Sequence, residues 1–109
     1  MNIINRGRRS GKTTMLIYSA FTTGYPILVK DSARAHLVKD QAKELGCNIE
    51  VFTLREWSQL HQVNKKSSIF IDEATDIIEL ALQYLTGSQV LACTVTLPYT
   101  DIKEAQDNE

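Results

Sequence analysis

The sequence predicts an α/β fold: a mostly parallel five-stranded sheet between helices, three layers in all. Two observations carry that expectation. Short β-rich runs alternate with helical runs along the chain, the pattern of crossover-connected parallel strands. In addition, Ile69-Phe70-Ile71 is continuously apolar and is closed by Asp72, as befits a strand covered on both faces in the middle of such a sheet. With 109 residues and 43% apolar content, there is material for one core. The expected organisation is a single domain over residues 1–100 and a polar tail over 101–109.

Each element has a local reason. Ile3-Ile4 reads as a first strand, followed by a loop from Arg6 to Gly11. Lys12 to Thr23 has helical spacing, with Met15, Leu16, Ser19 and Ala20 on one side and Gly24 as a stop signal. Pro26 to Lys30 is a second strand, its proline placed first, where a missing N–H does least harm. Ser32 caps a helix running to Leu45 and ended by Gly46. Ile49 to Phe52 makes a third strand, and Leu54 to about Gln62 a shorter helix with Trp57 and Leu60 inward. Ser68 to Asp72 is the fourth strand. Asp76 to Leu85 is a helix with Ile77, Ile78, Ala81 and Leu85 inward, stopped by Gly87. Gln89 to Thr96 is the fifth strand, limited by Pro98.

Ligands of open parallel sheets gather at the carboxyl ends of the strands. Three polar clusters fall at such ends. The first is Arg6-Gly7-Arg8-Arg9-Ser10-Gly11-Lys12-Thr13-Thr14, which follows a strand and opens a helix, the context of a phosphate-binding loop. Backbone N–H groups from Gly7 to Thr14, aided by the helix dipole, suit phosphate oxygens. Gly11 allows close approach, Lys12 brings charge to the β- and γ-phosphates, and the Thr13 hydroxyl is a magnesium ligand. Gly7 stands one place later than the usual first glycine, a position held here by Arg6.

The second cluster is Asp72-Glu73. Asp72 is the candidate magnesium holder, and Glu73 the candidate base that polarises the attacking water. The bland alternative is an acidic helix N-terminus, favoured by the dipole alone. The third is Thr94-Val95-Thr96, whose two hydroxyls share one strand face and suit the γ-phosphate or its water; ordinary β-propensity of threonine is the competing explanation.

The order of these motifs resembles the ATPase domain of phage large terminases and of helicases of the second superfamily, both P-loop nucleoside triphosphatases. Arg6 to Thr13 is similar to the terminase loop Gly-Gly-Arg-Gly-Ser-Gly-Lys-Ser, with Gly7, Arg8, Ser10, Gly11 and Lys12 in matching places. Asp72-Glu73-Ala74 looks like the helicase magnesium motif, and Thr94-Val95-Thr96-Leu97-Pro98 like its coupling motif. Val29-Lys30-Asp31-Ser32 lies where helicases carry a nucleic-acid-contacting segment. The resemblance implies a minimal RecA-like P-loop domain that binds ATP with Mg²⁺, hydrolyses it, and couples this to DNA or RNA. It also implies an arginine acting on the γ-phosphate. Arg8 is the candidate within the chain, and a second copy or a partner protein is the candidate outside it.

Two rival readings stand beside this one. Gly7 to Leu16 and the Asp-Glu-Ala segment also resemble thymidine kinases, although the paired cysteines of their zinc lasso are missing. The other rival is an accessory protein that binds nucleotide and a partner with little turnover. Lys30, Arg34, Lys39, Lys43 and Lys65-Lys66 are scattered bases that suit either a phosphate-tracking patch or a solvated surface. His36 and His61 have no metal-ligand spacing, and Cys47 and Cys93 read as reduced thiols. No apolar run suits a membrane span or a signal peptide, so the expected location is the cytoplasm.

Overall fold

The computed structural model describes residues 11–61 and 65–94. The chain divides into two units, Thr13–Val90 and, separately, Met1–Lys12 with Leu91–Glu109. The sheet and its helices belong to the first. Seven elements follow in order: α1 (Lys12–Thr23), β1 (Ile27–Val29), α2 (Ser32–Glu44), β2 (Val51–Thr53), α3 (Leu54–Gln59), β3 (Phe70–Ile71) and α4 (Ala74–Thr86).

The strands are parallel in the order β2-β1-β3, with Leu28 opposite Phe52 on one side and Ile71 on the other. Side chains alternate across a strand, so Ile27, Val29 and Val51 face one way. They form the core with Ile17 and Ala20 of α1 and with Ala35, Val38 and Ala42 of α2. Those helix positions recur at three, four and seven residues, the spacing of a buried helical stripe. Leu28 and Phe52 face the other way, where Trp57 of α3 meets Phe52 edge-on at 5.5 Å between ring centroids.

The expected five-stranded, three-layer sheet is corrected to three parallel strands with four helices among the described residues. Gln89–Thr94 forms no strand, and Leu91 within it is 89% exposed. β-propensity reports fit to a neighbouring strand rather than an intrinsic preference, so strand-like composition alone does not make a strand. Ile3-Ile4 lies outside the described residues. The strands also differ from the expected bounds: β1 is trimmed at both ends, β2 starts later and runs on to Thr53, and β3 is reduced to Phe70–Ile71, with helix caps following β1 and closing β2. Asp31 is extended at φ −152° and accepts from the Arg34 N–H at 2.9 Å, so it, not Ser32, caps α2 one residue past Lys30. Thr53 is the last residue of β2 and also the first member of a capping box with Glu56.

The helix ends are well made. After α2, the Gly46 N–H donates to Lys43 O and the Cys47 N–H to Ala42 O, a paired arrangement that needs the left-handed φ of 73° at Gly46. In α4 only Ile77 is buried, while Ile78 and Leu85, expected inward, are 53% and 83% exposed. Cys47 is buried, Cys93 is exposed, and both are free thiols. No helix of the described residues is long and apolar enough to cross a membrane.

Candidate functional site

Parallel pairing puts the carboxyl ends of β1 and β3 on the same rim. Asp72 follows directly on β3, and its N–H donates to Leu28 O at 3.1 Å, so its backbone continues the ladder. Its side chain is turned inward and is only 2% exposed. A buried carboxylate requires compensation by charge or hydrogen bonds. Two residues provide it, and they come from distant parts of the chain.

Thr13, in the first turn of α1, places Oγ1 3.4 Å from Asp72 Oδ1, a distance long for a hydroxyl–carboxylate hydrogen bond. Arg34, in the first turn of α2, makes the closer connection. Its Nε donates to Asp72 Oδ2 at 2.5 Å and its Nη2 to Thr13 Oγ1 at 3.0 Å. The Asp72 hydrogen bond raises the Arg34 pKa above its ordinary value, against the opposing effect of burial, and the charges of Asp72, Glu73 and Asp31 add to the rise. Next to this group, Gln41 Nε2 of α2 donates to Thr14 Oγ1 at 2.8 Å.

Glu73 adopts φ 59° and ψ 69°, the single non-glycine residue with positive φ among the described residues. The left-handed region costs an ordinary side chain roughly 1–2 kcal/mol. Its carbonyl accepts from the N–H groups of Asp76 and Ile77, starting α4, and its side chain makes no cap hydrogen bond to that helix. Backbone strain of this kind collects at working sites.

Of the residues expected to form a phosphate loop, Gly11, Lys12, Thr13 and Thr14 are described. Gly11 turns into α1 at φ 80°, a conformation that suits glycine, and Lys12 is the first residue of the helix. Gly7, Arg8, Arg9, Ser10 and Thr96 lie outside the described residues. Thr94 is exposed and in no strand, which corrects its expected place at a strand end. The scattered-base reading changes too. Arg34 is committed to Asp72, and Lys30 pairs with Asp76 at 3.3 Å, while Lys39 and Lys43 are exposed along α2.

Magnesium takes one or two protein oxygens and completes its octahedron with water and phosphate oxygens. The Thr13 hydroxyl and Asp72 carboxylate are hard oxygen donors of that kind, brought together on one rim. Among the described residues no group of three or more His, Cys, Asp or Glu converges as a metal cage.

Sequence reasoning missed Arg34 and Gln41 as site residues. The available signal was position: Arg34 lies three residues past the Asp31 cap, on the rim where β1 ends. No protein-family model matches the chain, and neither a curated protein nor a solved structure matches it.

Proposed function

We propose that this chain binds a nucleoside triphosphate together with Mg²⁺ and hydrolyses its γ-phosphate. The supporting observation is the meeting of Thr13 and Asp72, 59 residues apart in sequence, where α1 opens and β3 ends. Lys12 supplies a compact positive charge to the β- and γ-phosphates, and the loop N–H groups from Gly7 to Thr14 hold their oxygens. Glu73 receives the proton of the attacking water as the new oxygen–phosphorus bond forms and the bond to the β-phosphate oxygen breaks. Bound Mg²⁺ neutralises charge on the phosphate oxygens. Further positive charge comes from Arg8 or from a neighbouring chain. DNA or RNA is the polymer to which the motif resemblance points as the coupled partner, with the exposed Lys39 and Lys43 as its candidate phosphate contacts.

A fluorescent ATP analogue titrated with and without Mg²⁺ tests this reading. Wild type should bind in a magnesium-dependent manner, and Asp72→Asn should lose most of that dependence. Equal affinity with and without the ion, in both proteins, would remove Thr13 and Asp72 from any metal role.

A further inference from the structure

We propose that Arg34 is the resident cation of the Asp72–Thr13 site, and that a divalent ion can enter only by expelling it. The claim rests on the proposed nucleotide site only for the identity of the incoming ion. The geometry is particular. One guanidinium contacts both candidate metal ligands, Nε on Asp72 Oδ2 and Nη2 on Thr13 Oγ1. It thus occupies the Thr13 hydroxyl and one of the two Asp72 oxygens, leaving Oδ1 beside Thr13. A divalent ion between Thr13 Oγ1 and Asp72 Oδ1 would lie against the positive guanidinium, and around a carboxylate buried to this degree little water screens that repulsion.

Release of Arg34 has a ready route. Its side chain is 27% exposed, so its head can turn outward without disturbing the core. Asp31 and Glu73 both bear electrostatically on it, which leaves it acidic neighbours after it gives up Asp72. Such an exchange makes the nucleotide-free protein stable without metal, because its buried acid already has a counter-charge. Metal entry also becomes an event felt at the start of α2, where the Arg34 backbone N–H is held by Asp31. Arg34 is accordingly a positioning residue in the free state, and it competes with the ion for its ligands.

The test is thermal melting in the absence of nucleotide, with and without 10 mM-scale MgCl₂ or MnCl₂ (about 10 mM, well above a weak site's need). Arg34→Gln leaves Asp72 buried without its counter-charge and should melt roughly 10 °C or more below wild type. Divalent ions should restore at least half of that loss, and should shift wild type by about 1 °C at most. The double variant Arg34→Gln/Asp72→Asn should recover stability without responding to ions. If Arg34→Gln does not fold in any buffer, Arg34→Lys, which keeps the charge on a shorter reach, should show the same ion response in smaller degree. An Arg34 variant no more responsive to ions than wild type overturns the proposal. So does a response that persists without the Asp72 carboxylate. The nucleotide reading fails separately: its mark is wild type that does not bind Mg-ATP, whatever the melts show.

Discussion

Gln41 Nε2 donates to Thr14 Oγ1 at 2.8 Å, tying the third turn of α2 to the first turn of α1. Both groups are partly buried, and the bond fixes the helix that carries Thr13 against the helix that carries Arg34. Gln41→Ala should therefore cost about 1 kcal/mol in urea unfolding, the net worth of one such bond. A double-mutant cycle with Thr14→Val separates the bond from the packing of each side chain. A coupling energy near zero would show that the two residues merely lie side by side.

Glu73 combines a left-handed backbone with a proposed role as base, and substitution can separate the two. Glu73→Gly relieves the left-handed backbone and should raise stability by about 1 kcal/mol while removing the proposed base. Glu73→Gln keeps the backbone as it is, retains nucleotide and loses turnover. Phosphate-release rates and denaturant midpoints check both. Wild-type turnover in either variant excludes Glu73 as the base.

Lys12→Ala removes the charge that the proposed function assigns to the β- and γ-phosphates. Affinity for ATP should fall at least about tenfold, a loss of roughly 1.4 kcal/mol, and affinity for the bare nucleoside should not change. Isothermal titration calorimetry with adenosine, ADP and ATP distinguishes loss of a phosphate contact from a general loss of fold.

The capping box at α3 gives a pH signature away from the site. The Thr53 backbone N–H donates to Glu56, and this bond holds the Glu56 carboxyl below its ordinary pKa; the Thr53 hydroxyl and the Lys39 charge add to the effect, and burial works against it. A carboxyl with a depressed folded pKa stabilises the fold above its unfolded value, about 4.3 for glutamate. That contribution is lost as pH falls through the lower folded value. Glu56→Gln should thus cost a few tenths of a kcal/mol at neutral pH, a small figure because the side chain is exposed. The difference from wild type should disappear in acid. A gap that stays constant from pH 7 down to about pH 3 would show that Glu56 acts through packing and not through charge.

Local signals were the legible ones. The bounds of α1 follow from its spacing and from Gly24, and the end of α2 from Gly46, because caps and glycines act over a few residues. Asp72 at the end of an apolar strand was legible for the same reason. Strand number was not. Gln89–Thr94 has the composition of a strand, yet a strand requires a partner supplied from elsewhere in the chain. The inward face assigned to α4 failed similarly, since apolar spacing shows that Ile78 and Leu85 share a side of the helix but not that anything covers them. Arg34 looked like one more surface base. Its role depends on Asp72, 38 residues later, and no short window contains both.

The Asp72 N–H bond to Leu28 O has a consequence for motion. Leu28 belongs to the central strand, which is paired on both sides and buried throughout. Amide hydrogen exchange at Asp72 should therefore be as slow as that of the core, requiring the sheet itself to open. The backbone that carries the carboxylate is then held as firmly as the core strands. Its position is set before any ligand arrives. If Arg34 gives way to another cation, as proposed above, the exchange takes place around an acid whose backbone is already anchored.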